Sequence, residues 1–234
     1  MKFVIDQKIF GKFSNLTVGI IAVQGIHNTE ENAEVIDLLH QEERAVRERI
    51  TIETLATHPK VMAWQEAYRA FGAKPKDHLS SVENLYRRVL GGAALRHINT
   101  FVDMYNYVSL KYMLPVGGED LEKIKGDIQL TFAGPDGPPV LLLGDKDPRP
   151  PKEGEVIYRD GLGAICRRFN WREADRTKLT EETKNAVLVI EGLPPVSRNE
   201  IMGAVDELKN LIDHHCGGEA SLFILDASNP TASW

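Results

Sequence analysis

The chain has 234 residues, of which 42% are hydrophobic and 26% charged, and its formal net charge is −6. This composition predicts a soluble globular protein of one large domain or two small ones. The acidic balance excludes a chain-wide basic surface, so any contact with nucleic acid has to come from a local basic patch.

The cysteines and the N-terminal region predict a cytoplasmic protein. Cys166 and Cys216 are far apart and form no CxxC pair, so we expect two reduced thiols and no metal site built on them. The apolar run from Val18 to Val23 is too short for a signal peptide or a membrane span. We therefore expect no membrane partner, and the sequence indicates neither a metal nor a cofactor.

The first half of the chain, residues 1–115, is predicted to be a strand followed by helices. The β-branched run Leu16–Gly25 indicates a buried strand. One long helix is expected from Asn28, which has capping-box spacing to Glu31, as far as the residue before Pro59. Apolar periodicity and end signals predict three further helices, Lys60–Gly72, Ser80–Gly92 and Thr100–Met113.

From about residue 116 the pattern changes to short strands separated by turns. Strands are predicted over residues 127–133, 139–144, 155–160, 162–170, 185–193 and 219–226. A helix is expected at 194–218, where Ser197 and Glu200 form a capping box. Helices first and an antiparallel sheet later predict a single α+β unit over 1–234, with helices packed on a mainly antiparallel sheet.

The stretch Cys166–Asn185, CRRFNWREADRTKLTEETKN, is polar and rich in cations. Guanidinium groups suit phosphate or carboxylate because they donate paired hydrogen bonds in a plane, and Asn170 offers neutral donors and acceptors beside them. The alternative interpretation is that the arginines pair with nearby acids and only hold the loop together. The residues of that alternative are Arg168, Arg172 and Arg176 with Glu173 and Asp175.

Two other motifs have simple structural explanations. In Leu114–Asp120, LPVGGED, the glycines can let backbone N–H groups approach an anion or a carboxylate, but a helix-terminating turn is the favoured explanation. His214 and His215 are adjacent at a predicted helix end, so we expect them to point to different sides and to contact exposed carbonyls. No nucleophile with a histidine partner is assignable.

The segment Ile98–Leu130, INTFVDMYNYVSLKYMLPVGGEDLEKIKGDIQL, resembles the editing domain of the bacterial phenylalanyl-tRNA synthetase beta subunit, the B3/B4 module. The pattern Ile-Asn-x-x-Val-Asp-x-x-Asn-Tyr-Val, then Pro, then Asp-Leu-x-Lys, is shared in order and spacing. Leu179–Glu191, LTEETKNAVLVIE, lies at the expected distance downstream. The resemblance covers Phe71–Gly218, and the whole chain is similar to the free-standing version of that domain.

The resemblance implies hydrolysis of the ester between a wrong amino acid and the 3′-terminal adenosine of tRNA. A free-standing relative would act in trans, on aminoacyl-tRNA released by another synthetase. Its partner would be the aminoacyl-tRNA 3′ end and not DNA, and it would need no cofactor. This chemistry requires positioning, an oriented water and a polarised carbonyl, which suits a chain without a visible nucleophile.

Residue by residue, the resemblance is partial. Asn106 coincides with the pocket asparagine of the family, whereas Tyr105 stands where a threonine is expected. Gly117 replaces the histidine that follows the proline by two residues. The strand glutamate of the family falls at Val189, and Glu191, two residues later on the same strand face, is expected to substitute for it. These departures imply a different amino-acid specificity.

We therefore predict that Asn106 and Glu191 are catalytic and that Gly117 and Gly118 line the ester end of a pocket. The adenosine and phosphate end is assigned to residues of the cationic stretch, Arg167, Arg168, Asn170 and Arg172. Two alternatives stay open at this point. One is a module that binds tRNA or an aminoacyl compound without chemistry, and the other is a small-molecule amidase or esterase that uses the same pocket.

Overall fold

Helices and strands follow one another along the whole chain in the computed structural model, which describes residues 1–29, 31–92 and 94–234. The helices are α1 (Gln7–Lys12), α2 (Ala33–Arg49), α3 (Ile52–Ala56), α4 (Pro59–Ala70), α5 (Ser81–Leu90), α6 (Thr100–Tyr112) and α7 (Arg198–His215). The strands are β1 (Lys2–Ile5), β2 (Thr17–Gln24), β3 (Val116–Asp120), β4 (Ile128–Phe132), β5 (Val156–Arg159), β6 (Ala164–Arg167), β7 (Arg172–Glu173), β8 (Asn185–Gly192), β9 (Glu219–Leu225) and β10 (Thr231–Ser233).

The strands form two sheets. One has the order β10-β1-β4-β5-β6-β7, and the other has the order β3-β8-β2-β9. All neighbouring strands are antiparallel except β1 and β4, which are parallel. The predicted α+β class with mainly antiparallel pairing is confirmed, although the expected single sheet is wrong.

The four-stranded sheet is covered on one face by α7. Gly19 on β2 permits this close approach, because a Cβ atom at that position would lie 2.4 Å from Cγ2 of Val205 on the helix. Side chains alternate between the two faces of a strand, so Val189 and Glu191 on β8 point to the opposite face. That face is the one that contributes to the cavity described below.

The long helix predicted from Asn28 is wrong at both ends. The N-cap of α2 is Asn32, whose side chain accepts hydrogen bonds from the backbone N–H groups of Glu34 and Val35. The backbone is extended at Ile50, and α3 and α4 follow as separate helices. Pro59 is the first residue of α4, a position where its missing N–H costs nothing.

The Asn28 side chain instead connects distant parts of the chain. Its Nδ2 donates to the carbonyl oxygen of Thr180 at 2.7 Å, and its Oδ1 accepts from the backbone N–H of Phe101 at 3.0 Å. Asn28 therefore fixes the first turn of α6 against the segment that leads into β8.

Further corrections concern short strands. The predicted strand 139–144 forms only isolated bridges, Val140 to Arg149 and Leu142 to Ala174. Residues 116–120, interpreted as a possible turn, are strand β3, and β1, α1, β7 and β10 were not predicted. The capping box of Ser197 and Glu200 is confirmed at the start of α7. No helix in the described ranges is both long enough and apolar enough to cross a membrane.

Candidate functional site

A cavity of about 600 Å³ is lined by residues of both sheets and of helices α5 and α6. Its walls are partly apolar, with side chains such as Val102, Ile128 and Val187. Most of the residues predicted from the sequence line this one cavity, namely Asn106, Gly117, Gly118, Asn170, Arg172 and Glu191. Arg167 and Arg168 are not among the lining residues.

Glu191 is a buried carboxyl group, with 2% of its surface exposed. The Tyr158 hydroxyl donates a hydrogen bond to its Oε1, and Asn170 Nδ2 donates to its Oε2 at 2.6 Å. Burial nevertheless raises the pKa of Glu191 to about 7 because these two donors compensate only part of the lost hydration. A carboxyl group in this state can take up or release a proton near neutral pH.

Asn170 reaches Glu191 because of the turn between β6 and β7. Arg168 and Phe169 both have left-handed backbone conformations, with φ of 52° and 63°. This turn buries Phe169 against aromatic rings, including that of Trp64 at a centroid distance of 5.1 Å. Oδ1 of Asn170 then accepts a hydrogen bond from the Tyr68 hydroxyl at 3.2 Å. The core thereby orients the Asn170 amide.

Asn106 lies on α6, whose N-terminus is capped by the Asn99 side chain. Its carboxamide is half-buried at the cavity wall. Within the described part of the chain no residue hydrogen-bonds this carboxamide, so both its amide donors and its carbonyl oxygen are available to a ligand.

The two glycines of β3 accommodate a carboxylate that belongs to the protein itself. Oε1 of Glu173 lies 3.3 Å from the backbone nitrogen of Gly118 and accepts its hydrogen bond. A Cβ atom at Gly117 would be 2.6 Å from the same oxygen. The absence of a side chain at Gly117 therefore leaves room for Glu173.

Sequence reasoning missed two acidic residues of the cavity, Glu119 and Glu173. Desolvation in the cavity raises the pKa of Glu173 to about 7. Burial, followed by the repulsion of the Glu173 carboxyl, raises the pKa of Glu119 well above its ordinary value. The alternation of side chains along β3 places Glu119 on the same face as Gly117. The sequence could have indicated this only if residues 116–120 had been predicted as a strand.

The arginines of the cationic stretch are largely engaged with acids. Arg167 is buried and binds Glu155 through two hydrogen bonds of 2.8 and 2.9 Å. Arg176 binds Asp160, and Arg172 binds Asp145 at 2.7 Å. The scaffolding interpretation is thus correct for Arg172 and Arg176, with acids other than Glu173 and Asp175.

Arg168 is also buried. Its guanidinium stacks on the ring of Trp171 at 4.4 Å and lies 3.5 Å from Glu155. We therefore withdraw Arg167 and Arg168 from the set of residues expected to contact a substrate.

Other cations lie at the cavity wall. Arg88 on α5 and Arg96 in the loop before α6 are exposed and line it. In the described ranges neither guanidinium forms a salt bridge. Sequence reasoning did not select them, because only the packing of α5 and of this loop beside α6 brings them to the cavity.

Residues suited to a metal ion occur elsewhere. Among residues 1–29, 31–92 and 94–234, one group of three potential ligands comes together, Glu34, His214 and His215. The prediction that the histidines point to different sides is wrong, since both rings lie within 4.0 Å of one oxygen of Glu34. This group does not line the cavity.

The B3/4 domain family matches residues 63–217. Among solved structures, the chain is similar to an N-terminal fragment of the phenylalanyl-tRNA synthetase beta subunit from Pyrococcus horikoshii, with 12% identity and a TM-score of 0.47. That alignment covers 94% of this chain and 49% of the fragment, so the chain spans about half of its length. No curated protein matches the chain.

Proposed function

The chain belongs to the B3/4 domain family, and from this premise we propose that it hydrolyses mischarged aminoacyl-tRNA in trans. The observation that carries the proposal is Glu191, a buried carboxyl with a pKa of about 7 in the same cavity as the free Asn106 carboxamide. The enzyme class is an ester hydrolase, and its substrate is the aminoacyl group on the tRNA 3′ end.

In the proposed reaction a water molecule attacks the carbonyl carbon of the ester. Glu191 takes the proton of that water as general base, and Asn106 donates a hydrogen bond to the carbonyl oxygen as negative charge develops there. The bond between the carbonyl carbon and the ribose oxygen then breaks, and Glu191 returns the proton to that oxygen. The products are the free amino acid and tRNA with an intact 3′ end.

Water as the nucleophile agrees with the state of two other side chains in the cavity, Cys166 and Ser109. Burial raises the pKa of Cys166 well above its ordinary value, so its thiol stays protonated. The Ser109 hydroxyl donates its hydrogen to the Leu114 carbonyl at 2.6 Å. Neither group is activated for attack on a carbonyl.

We assign the nucleotide end of the substrate to the cations at the cavity wall. Arg88 and Arg96 are exposed there, and Arg172 is half-exposed in its pair with Asp145. Guanidinium groups bind phosphate oxygens well, and a small number of contacts suits a chain with a net charge of −6. We assign Asn170 to the ester end of the substrate, and no longer to the nucleotide end, because its Nδ2 donates a hydrogen bond to Glu191.

Residues 1–234 are proposed to act as one unit, since a single hydrophobic cluster includes buried residues of both sheets and of the helices. The substrate implies action in the cytoplasm, where aminoacyl-tRNA is made and used.

One observation favours the alternative of a binding module without chemistry. Both carboxyl oxygens of Glu191 already accept hydrogen bonds from the protein, an arrangement that also suits a purely structural acid. In that case the cavity would hold the aminoacyl group without breaking its ester.

The experiment that separates these functions is a deacylation panel. Purified protein is incubated with tRNAs carrying labelled serine, alanine, tyrosine or a D-amino acid, and with the methyl esters of the same amino acids. Selective loss of one tRNA ester supports the deacylase. Retention of the tRNA on a filter with no ester loss supports the binding module, and equal activity on the methyl esters indicates a general esterase.

A further inference from the structure

We propose that Glu119 and Glu173 form a subsite that binds a primary ammonium group of the ligand in this cavity. The inference rests on the proposed function and extends it by naming a chemical feature of the substrate. The ammonium group has two possible sources, the α-amino group of the aminoacyl ester or an amine in the side chain of the amino acid.

The first observation is an unsatisfied oxygen. Glu119 is buried, with 6% of its surface exposed, and it lines the cavity. Within the described residues its Oε2 has no hydrogen bond of ordinary geometry, although the nearby Thr177 hydroxyl interacts with the carboxyl and partly offsets the rise of its pKa. A buried carboxyl oxygen that lacks a hydrogen bond of ordinary geometry is costly, and an ammonium donor from a ligand in this cavity would complete it.

The second observation is a neighbouring carboxyl that faces the same space. Glu173 reaches the cavity from β7 and lies over Gly117, where a Cβ would be 2.6 Å from its Oε1. Gly117 and Glu119 are two residues apart on one face of β3, a spacing of about 7 Å along a strand. The two carboxyls therefore flank one part of the cavity wall.

The third observation is the lack of a neutralising partner. None of the salt bridges in the described chain involves Glu119 or Glu173. The positive charge of Arg176 partly offsets the rise in the pKa of Glu119 without contacting it. The Arg176 guanidinium is instead bound to Asp160 by hydrogen bonds of 2.6 and 3.0 Å. Two carboxyls without a cation of their own favour a ligand that supplies one.

An ammonium group fits this pair better than a metal ion does. Calcium requires six to eight oxygen ligands and magnesium a nearly ideal octahedral set of six, of which two side chains supply only part. The described residues bring three potential metal ligands together only at Glu34, His214 and His215, away from Glu119 and Glu173. An ammonium group donates three hydrogen bonds, which matches the free oxygen of Glu119 and the adjacent carboxyl of Glu173.

The test is calorimetric titration with three amides that contain no ester and cannot be hydrolysed as substrates. Norleucine amide carries only an α-ammonium group, Nα-acetyl-lysine amide carries only a side-chain ammonium group, and Nα-acetyl-norleucine amide carries none. Each is titrated into the wild type, Glu119→Gln, Glu173→Gln and the control Glu181→Gln, which changes an exposed acid outside the cavity. Thermal melting verifies that each variant is folded.

We expect at least one cationic amide to bind roughly tenfold or more tightly than the neutral amide, which corresponds to about 1.4 kcal/mol or more. This preference should fall below about threefold in Glu119→Gln and Glu173→Gln and persist in Glu181→Gln. Preference for norleucine amide identifies the α-amino group as the source, and preference for Nα-acetyl-lysine amide identifies the side chain.

Equal binding of cationic and neutral amides would overturn the inference, as would a preference that survives both cavity substitutions. The inference would also be overturned if none of the amides binds at concentrations up to about 10 mM. Failure of the deacylase proposal is distinguishable, because it would abolish ester hydrolysis without changing the binding of these amides.

Discussion

At the scale of single residues, Glu191 has the pKa that a general base needs near neutral pH. The pKa is raised from 4.5 to about 7, so the carboxyl is protonated below pH 7 and cannot accept a proton from water there. The single-turnover rate should rise about tenfold per pH unit below pH 7 and level off above it. The pH profile is measured with the aminoacyl-tRNA that the protein hydrolyses in the deacylation panel.

The Glu191→Gln variant is the control for that profile. The amide cannot titrate, so the variant should lose the step near pH 7 and retain only the gradual rise of uncatalysed ester hydrolysis. The same step in wild type and variant would assign the titration to another group.

Arg167 and Arg172 are neighbours across a hairpin but have different roles. Arg167 is buried in its bidentate pair with Glu155, so Arg167→Ala should reduce the free energy of unfolding by about 3–5 kcal/mol. The pair of Arg172 with Asp145 is partly exposed, and Arg172→Ala should change stability by less than about 1 kcal/mol. Urea denaturation measures both, and similar losses for the two variants would contradict the assignment.

Only part of the candidate site was predictable residue by residue. Asn106 and Glu191 were selected through the family resemblance and strand alternation, and both line the cavity. Glu119 and Glu173 were missed because their approach depends on β3 and on the β6–β7 hairpin meeting in space. Arg167 was wrongly selected because a sequence does not reveal that Glu155, twelve residues earlier, neutralises it.

At the scale of elements, β3 is a strand whose glycines have a steric role. Gly117→Ala should destabilise the protein by about 1–3 kcal/mol, since the new methyl group displaces the Glu173 carboxyl. Gly11→Ala in α1 is the control, because its Cβ meets nothing within 4 Å and alanine favours a helix. Thermal melting compares them, and an unchanged melting temperature in Gly117→Ala would show that Glu173 moves freely.

Element prediction succeeded where local signals were sufficient. The Ser197 capping box marks the start of α7 as expected, and the predicted helix start at Ser80 coincides with the N-cap of α5. The break between α2 and α3 was missed because the charged sequence around Ile50 has no Gly or Pro to mark it. Residues 139–144 have the composition of a strand but find partners only in isolated bridges.

At the scale of the whole molecule, the cavity exists because two sheets and two helices converge. Strand β1 pairs with both β4 and β10, so Phe3 lies beside Ile128 and Ala232. Such pairings join residues more than a hundred positions apart, and no periodicity in the sequence encodes them. The α+β class followed from the order of elements, whereas the division into two sheets did not.

The central claim is that this cavity hydrolyses an aminoacyl ester with the help of Asn106. The most direct test is the single-turnover deacylation rate of the selected aminoacyl-tRNA with wild type, Asn106→Ala and Asn210→Ala, the last at an exposed position on α7. We predict a rate at least about tenfold lower for Asn106→Ala, as for other lost carbonyl-polarising donors, and an unchanged rate for Asn210→Ala. Equal rates in all three proteins, with the variants fully folded, would contradict the account.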